Sequence, residues 1–396
     1  MYIVYSWPPC QLRGQVRRNR VNYSILYVTC GPVPVQKITI EEFLSLGKSH
    51  PLFDVRSPGE FNHAHIPGAI SLPLFNDEER KVVGTTYKQE SREKAIKTGL
   101  DYFGLKMRPM IEVVENVFNP KDGKAKNTNG QSNVRTVLVH CWRGGMRSAG
   151  VAWLLDLYGF KVYTLAGGYK AYRKWVLLQF EKTYSFNVIG GYTGSGKTLV
   201  LHELKRIGKP VIDLEALANH KGSAFGAMGQ LPQPKQEMFE NLLASDLHAL
   251  SMMKEPADNR IWIEDESQRI GNLNIPPNLW KQMRNSPLYF LNIPFEERLE
   301  YIVKDYGKFD REKLVNATLR IHKRLGGLET KNALNHLVEN DIKECFRILL
   351  TYYDKWYSKG LHNRENLSSL LNKIECAGVD TVTNTQKAIT CNTVNA

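Results

Sequence analysis

The stretch GYTGSGKT at residues 191–198 limits the folds open to this chain more than any other segment. It matches the pattern G-x-x-x-x-G-K-[ST] in full. An apolar run at residues 186–189 precedes it and predicts a strand, and leucines at helical spacing follow it until Gly208. A strand, a glycine-rich loop and a helix in that order predict a parallel α/β sheet that carries a phosphate-binding P-loop.

Such a loop binds phosphate because its backbone N–H groups converge and the next helix begins with its positive end. Lys197 would neutralise the terminal oxygens of a di- or triphosphate, and Thr198 could ligate Mg²⁺. A nucleotide or another diphosphate could occupy the loop. The candidate phosphate-binding residues are Gly191, Thr193, Gly194, Ser195, Gly196, Lys197 and Thr198.

A carboxylate that orients the metal is expected at the end of a neighbouring strand. The run RIWIEDE at residues 260–266 ends in acids, and Asp265, or else Glu264, is the candidate. The run VIDLE at residues 211–215 is a rival for this role. Acids at strand ends also commonly cap the next helix. The tentative magnesium ligands are therefore Thr198 and Asp265.

A second glycine-rich loop, HCWRGGMRS at residues 140–148, follows the apolar run TVLV and precedes a predicted helix. The backbone of this loop and the helix N-terminus favour an anion and lower the pKa of a thiol. The same cysteine could instead be a structural residue beneath the helix, and the C-x5-R spacing also fits a tyrosine-phosphatase-type loop. The candidate catalytic residues are Cys141, Arg143, Gly144, Gly145 and Arg147.

Apolar runs that alternate with helical patterns predict two α/β domains in the 396 residues. Residues 36–180 form the first domain and residues 181–362 the second, whose C-terminal part is helical and basic. Residues 1–35 are expected to be a disordered leader or a mis-called start. The polar segments 120–133 and 363–396 are predicted to be a flexible insertion and a disordered tail.

The formal net charge of +13 favours a polyanionic partner. Residues 304–324 are basic and lie alongside Tyr301 and Tyr306, as an RNA-binding face would, although a solvated helix face explains the pattern nearly as well. The six cysteines form no C-x-x-C pair, so a reducing cytoplasm is the expected location. Because the chain has no run of about 18 apolar residues, no membrane association is expected.

Two segments of the first domain resemble rhodanese-type sulfurtransferases. These are DVRSPGEFNHAHIPGAISLPL at residues 54–74 and LAGGYKAYRKW at residues 165–175. The arginine of the cysteine loop lies one residue further from Cys141 than in most of these enzymes, which leaves room for a phosphate-bearing donor. For Asp54 and Arg56 a structural ion pair is preferred.

The pairing of a rhodanese-like domain with a P-loop NTPase-like domain resembles the tRNA 2-selenouridine synthase family. This resemblance implies conversion of wobble 2-thiouridine in tRNA to 2-selenouridine. It also implies geranyl diphosphate and selenophosphate as substrates, and a selenophosphate-producing enzyme as a partner. Two alternatives stay open, a cysteine-dependent phosphatase and a nucleotide-switched RNA-binding module.

Overall fold

A computed structural model describes residues 35–119, 135–253 and 260–395. The predictions for the leader and for the insertion at 120–133 lie outside these residues, apart from Val35. The described chain forms two α/β domains, each built on a parallel five-stranded sheet.

The first domain has strands and helices in alternation, as predicted. Its strands are β1 (Gln36–Ile38), β2 (Leu52–Asp54), β3 (Ile70–Ser71), β4 (Thr136–His140) and β5 (Lys161–Leu165). Its helices are α1 (Ile40–Gly47), α2 (Pro58–His63), α3 (Asp77–Gln89), α4 (Arg92–Phe118), α5 (Met146–Leu157) and α6 (Gly168–Gln179). The strand order β1-β5-β4-β2-β3 places β4 at the centre of the sheet.

Local sequence explains several of these elements. Thr39 caps α1 by accepting a hydrogen bond from the Glu42 N–H, and the Glu42 carboxylate bonds back to the Thr39 N–H. All five residues of β4 are buried, as expected for a strand covered on both faces. The chain therefore enters the cysteine loop from the most enclosed strand of the domain.

The second domain contains the remaining elements. Its strands are β6 (Phe186–Gly191), β7 (Val211–Ile212), β8 (Ile261–Glu264), β9 (Arg269–Ile270), β10 (Leu273–Asn274), β11 (Leu288–Asn292) and β12 (Leu371–Glu375). Its helices are α7 (Lys197–Arg206), α8 (Leu214–Ala218), α9 (Gln236–Ser251), α10 (Pro277–Arg284), α11 (Phe295–Tyr306), α12 (Arg311–Arg320), α13 (His322–Leu325), α14 (Gly327–Val338), α15 (Ile342–His362), α16 (Leu367–Leu370) and α17 (Thr381–Asn395). The main sheet has the order β12-β11-β6-β8-β7, and β9 and β10 form a small antiparallel pair.

The prediction of a disordered tail at residues 363–396 is wrong. Strand β12 pairs in parallel with β11 along its whole length, and α17 packs against α7. Ile374 of β12 is buried in a cluster shared with Leu291 and Val200. Polar composition suggested disorder, but Asn384 and Asn392 are themselves buried and hydrogen-bonded inside the domain.

The two domains share one continuous apolar cluster, which extends from the core of the first domain to that of the second through the contact between α6 and α9. At its centre, Asn241 of α9 donates from Nδ2 to the His65 carbonyl at 2.8 Å and to the Tyr169 hydroxyl at 2.9 Å. Arg173 of α6 donates to the Asn241 side chain and forms an ion pair with Glu240 at 2.5 Å. The interface therefore combines apolar burial with a specific polar network.

Candidate functional site

The cysteine loop leaves the carboxyl end of β4 and leads into α5. Cys141 is 3% exposed, and its sulfur lies 3.2 Å from the Ser148 hydroxyl oxygen. Burial acts to raise the pKa of the Cys141 thiol. Hydrogen bonds from the Ser148 hydroxyl and from the N–H groups of Ser148, Arg143 and Gly145 outweigh it, so the pKa is lowered. The loop thus favours a thiolate, as the sequence predicted.

The shape of this loop depends on two glycines with positive φ. A Cβ on Gly144, at φ +63°, would lie 2.5 Å from the Leu165 carbonyl oxygen. A Cβ on Gly168, at φ +59°, would lie 2.4 Å from the Cys141 carbonyl oxygen. The segment after β5 therefore supports the cysteine loop by backbone contact, and the Tyr169 N–H donates to the Cys141 carbonyl at 2.8 Å. By contrast, no atom lies within 4 Å of a Cβ built on Gly145.

The two arginines of the loop have different surroundings. Arg147 donates from Nη1 to Glu60 of α2 at 2.7 Å, and Arg80 also lies near this carboxylate at 3.6 Å. Arg143 is exposed. An anion in the loop would meet an exposed Arg143 and an Arg147 that is already held in place by Glu60.

The predicted structural ion pair between Asp54 and Arg56 is confirmed. The two side chains are buried and 2.6 Å apart. The Arg56 guanidinium also donates to the Ala64 carbonyl at 2.7 Å and lies 3.7 Å from the ring centre of Tyr169. This pair fixes the chain beneath the cysteine loop.

The P-loop leaves the carboxyl end of β6, the central strand of the second sheet, and leads into α7. Gly194 and Gly196 have positive φ, and Gly196 directly precedes the helix. The Lys197 ammonium donates to the Gly191 carbonyl at 3.2 Å. The loop therefore has the strand–loop–helix context that the motif requires, and its role in phosphate binding stays a prediction.

Contacts from distant helices hold the P-loop backbone. Arg298 of α11 donates to the Thr193 carbonyl at 3.0 Å and forms an ion pair with Asp354 at 2.7 Å. Ser195 is buried, and its hydroxyl oxygen has no hydrogen-bond partner among the described residues. A buried polar atom without a hydrogen-bond partner destabilises the folded protein unless a ligand supplies that partner. The Ser195 hydroxyl therefore favours an anion in the loop.

The structure brings Thr198 together with Glu215 and not with the predicted Asp265. The Thr198 hydroxyl donates to Glu215 Oε2 at 2.9 Å. Both oxygens of Asp265 are engaged elsewhere, because Tyr357 donates to one at 2.8 Å and Arg364 to the other at 2.5 Å. The rival run VIDLE therefore supplies the carboxylate beside Thr198.

Glu215 lies beside Thr198 because only the first two residues of the run VIDLE form a strand. Strand β7 ends at Ile212, and Asp213 caps α8, so Glu215 lies in the first turn of that helix. Its N–H donates to the buried Glu264 carboxylate at 2.7 Å. The acids at the end of β8 therefore support α8.

Several carboxylates crowd this edge of the sheet. Burial and the charges of Asp213, Glu215 and Glu266 raise the pKa of Glu264 well above its usual value. Burial and the charge of Glu215 raise the pKa of Glu266 to about 8. A cation would relieve this repulsion. Among the described residues no three His, Cys, Asp or Glu side chains are arranged to hold a metal ion. Thr198 and Glu215 nevertheless fit Mg²⁺, which commonly takes most of its ligands from phosphate and water.

The loop HKGSAFG at residues 220–226 lies beside these acids. A Cβ on Gly222, at φ +68°, would be 2.6 Å from a Glu266 carboxylate oxygen. Lys221 forms an ion pair with Asp305 at 2.8 Å. The loop therefore packs close to the phosphate site.

The basic segment 304–324 is partly occupied by internal contacts. Lys308 pairs with Asp305 at 3.2 Å and Lys313 with Asp310 at 3.3 Å. Tyr306 packs against Phe225 inside the domain rather than presenting its ring for stacking. The exposed cations that remain in this segment include Arg320, Lys323 and Arg324.

Sequence reasoning missed several residues of the two loops. Ser148 lies within the quoted cysteine loop, so its spacing of seven residues from Cys141 was a usable signal. Glu60 also lies within a recognisable motif, the rhodanese-like segment at residues 54–74. Tyr357, whose hydroxyl accepts from the Gly191 N–H at 3.2 Å, is 166 residues away and carried no such signal.

These observations define a two-domain α/β protein in which a rhodanese-like cysteine loop and a P-loop each lie at the carboxyl end of a central strand. The family model described as "Rhodanese-like domain" matches residues 39–174, and the one described as "tRNA 2-selenouridine synthase AAA domain" matches residues 184–385. The chain is 35% identical over 340 residues to a tRNA 2-selenouridine synthase of Sulfurovum sp. (strain NBC37-1), covering 78% of this chain and 87% of the relative. It is also 35% identical over 368 residues to a tRNA 2-selenouridine synthase of Pseudomonas syringae pv. syringae (strain B728a), which covers 84% of this chain and 92% of the relative.

The chain belongs to the tRNA 2-selenouridine synthase family, an enzyme family. The described part of the chain contains no helix that is both long and apolar enough to span a bilayer.

Proposed function

We propose that this protein converts wobble 2-thiouridine in tRNA to 2-selenouridine in two steps. In the first step, the sulfur of the base attacks geranyl diphosphate, a C–S bond forms, and diphosphate leaves with the electrons of the broken C–O bond. In the second step, the selenium of selenophosphate attacks C2 of the geranylated base, a C–Se bond forms and the C–S bond breaks, so that geranyl thiol leaves; water then cleaves the Se–P bond and releases phosphate. The observation that carries this proposal is the presence of two anion-binding loops in one chain, only one of which contains a thiol.

The P-loop is assigned to the first step. Its backbone, Ser195 and Lys197 would hold the diphosphate and stabilise the charge that develops as it leaves. Mg²⁺ would bind at Thr198 and Glu215 and neutralise the leaving diphosphate. Lys197 donates to the Gly191 carbonyl in this structure, and it would exchange that bond for one to phosphate.

The cysteine loop is assigned to the second step. The lowered pKa of Cys141 supports a thiolate, which would position the selenium of selenophosphate for its attack on the base. Arg143 and Arg147 would hold the phosphate of this donor. A selenophosphate-producing enzyme would supply it.

The test uses purified protein and tRNA that carries wobble 2-thiouridine. Geranyl diphosphate and selenophosphate are added separately and together, and the tRNA nucleosides are measured by mass spectrometry. Cys141→Ala should abolish selenation and spare geranylation, whereas Lys197→Ala should abolish geranylation.

Two variants serve as controls. Cys391→Ala changes a half-buried thiol in α17, and Lys205→Ala changes an exposed lysine in the last turn of α7. Both should retain both steps. Loss of geranylation and selenation together in Cys141→Ala would contradict this division of work, and unchanged geranylation in Lys197→Ala would reject the role of the P-loop.

A further inference from the structure

A cavity of about 460 Å³ opens between α10 and α15, beside the end of β8. We call it the tryptophan cleft, because Trp280 and Trp356 line it together with Lys281, Arg284, Leu361 and Glu266. None of these residues has a role in the two loops described above, except that Glu266 belongs to the neighbouring acid cluster. The cleft is therefore a separate place at which a substrate could bind.

The α10 wall of the cleft is held rigidly. The Trp280 indole N–H donates to the Glu266 carbonyl at 3.3 Å. The Arg284 guanidinium lies 5.5 Å from the centre of the Trp280 ring and donates to the Gly360 carbonyl at 3.0 Å. A fixed aromatic ring next to a cation is the combination that binds a nucleotide, because the base stacks and the phosphate pairs with the charge.

The α15 wall presents a second and more accessible ring. Trp356 is 46% exposed, and the Lys359 ammonium lies 5.3 Å from its ring centre. Lys281, on the opposite wall, is exposed. Two indoles with cations around them form a stacking platform for an anionic, flat ligand.

The acids in the lining do not cancel this charge. Asp265 is paired with Arg364 at 2.5 Å. The Glu266 carboxylate lies against the loop at residues 220–226, where a Cβ built on Gly222 would be 2.6 Å from one of its oxygens. In the described lining, Glu365 is left as an exposed carboxylate.

The cleft also borders the P-loop. Tyr357, the residue after Trp356, accepts from the Gly191 N–H at 3.2 Å and donates to Asp265 at 2.8 Å. The Lys197 ammonium lies 5.8 Å from the ring centre of Tyr357. One side chain therefore separates the cleft from the proposed diphosphate site.

We propose that the tryptophan cleft binds one unpaired nucleotide of the RNA substrate, with its base stacked on Trp356 and a phosphate facing Lys281 and Arg284. This inference rests on the proposed function, which supplies tRNA as the substrate. A geranyl chain is the competing occupant. The cations and the exposed position of Trp356 favour the nucleotide, because an apolar chain is stabilised by enclosure away from water and charge.

The test measures the Kd of the full-length protein for an anticodon stem-loop RNA at one fixed salt concentration. Trp356→Ala should raise this Kd about tenfold, as expected for the loss of one stacked base, whereas Trp356→Phe should stay within about threefold. Lys281→Ala should weaken binding and reduce the slope of log Kd against log salt by about 0.7. Trp153→Ala is the matched control, since Trp153 is 53% exposed on α5 of the first domain, and it should leave the Kd unchanged.

The same variants are then tested for binding of geranyl diphosphate by equilibrium dialysis. Trp356→Ala should bind it like the wild type. Weakened binding of geranyl diphosphate with an unchanged RNA Kd would overturn the inference and assign the cleft to the prenyl chain. Unchanged binding of both ligands would also overturn it.

A photo-crosslink gives a direct second measurement. RNA with 5-iodouridine placed in turn at each unpaired position of the anticodon loop should crosslink from at least one position to the peptide that contains Trp356, and crosslinks confined to peptides of other regions would contradict the assignment. If the wild type fails to bind or modify tRNA, the proposed function itself fails. If the wild type modifies tRNA, and Trp356→Ala also modifies it and binds the stem-loop RNA with the same Kd, only this inference fails.

Discussion

Cys141 combines deep burial with a lowered thiol pKa, two properties that ordinarily oppose each other. The opposition is resolved because donors converge on the sulfur from the loop backbone and from Ser148. Oxyanion and thiolate sites share this design, in which fixed dipoles replace water around a charge. The loop itself therefore lowers the pKa of the thiol.

Removal of the Ser148 hydroxyl should raise the pKa of Cys141. A hydrogen bond to a charged group contributes about 1.5 kcal/mol, and 1.36 kcal/mol corresponds to one pKa unit, so Ser148→Ala should raise the pKa by about one unit. The measurement is the pH dependence of iodoacetamide alkylation, followed by mass spectrometry of the peptide that contains Cys141. Thiolate is present above the pKa and lost below it, so the alkylation profile should move to higher pH.

Ser49→Ala is a suitable control, because that hydroxyl bonds only to a backbone carbonyl at the end of α1 among the contacts observed. It should leave the alkylation profile in place. An unchanged profile in Ser148→Ala would show that the loop backbone alone determines the reactivity of the thiol.

At the scale of elements, β12 is an edge strand that completes the second sheet although the surrounding sequence is polar. It alternates exposed Lys373 and Glu375 with buried Ile374, the period of a strand. It covers the edge of β11, which would otherwise present unpaired backbone groups to solvent. The P-loop domain thus includes the C-terminal segment as a structural part.

Ile374→Ala should therefore destabilise the P-loop domain by about 2–4 kcal/mol, because it removes a side chain that is 5% exposed from a packed cluster. Lys373→Ala, at the adjacent exposed position, should change the free energy of unfolding by less than about 0.5 kcal/mol. Chemical denaturation of both variants provides the measurement. If the two variants were equally stable, Ile374 would not be packed in the domain, and the tail would be disordered as its composition suggested.

At the scale of the whole molecule, the two domains are joined by α6 and α9 around the Asn241 network. Buried polar groups of this kind are costly when a partner is missing, and they favour one arrangement of the domains over others. The interface links the domain that carries the cysteine loop to the domain that carries the P-loop. Both loops lie at carboxyl ends of parallel strands, where open α/β sheets bind ligands.

Asn241→Ala should weaken the coupling between the domains. It removes one acceptor of the Arg173 guanidinium, which keeps its ion pair with Glu240, and it removes the side-chain donor to the His65 carbonyl, at a cost of about 1–3 kcal/mol. Differential scanning calorimetry should show a lower Tm and a wider separation between the unfolding of the two domains. Asn332→Ala, an exposed asparagine of α14, should behave like the wild type, and a single unshifted transition in Asn241→Ala would contradict a coupling role.

The amino-acid sequence by itself determined the two strand–loop–helix units and the places of Cys141 and the P-loop within them, because each depends on residues close together in the chain. Thr39, Cys141 and Lys197 all lie where local patterns predicted. The contacts between distant segments were decided only by the tertiary structure. Glu215 rather than Asp265 meets Thr198, Tyr357 supports the P-loop from 166 residues away, and β12 orders the tail. The physical reason is that these features arise from packing and hydrogen bonds between elements whose positions no local pattern specifies.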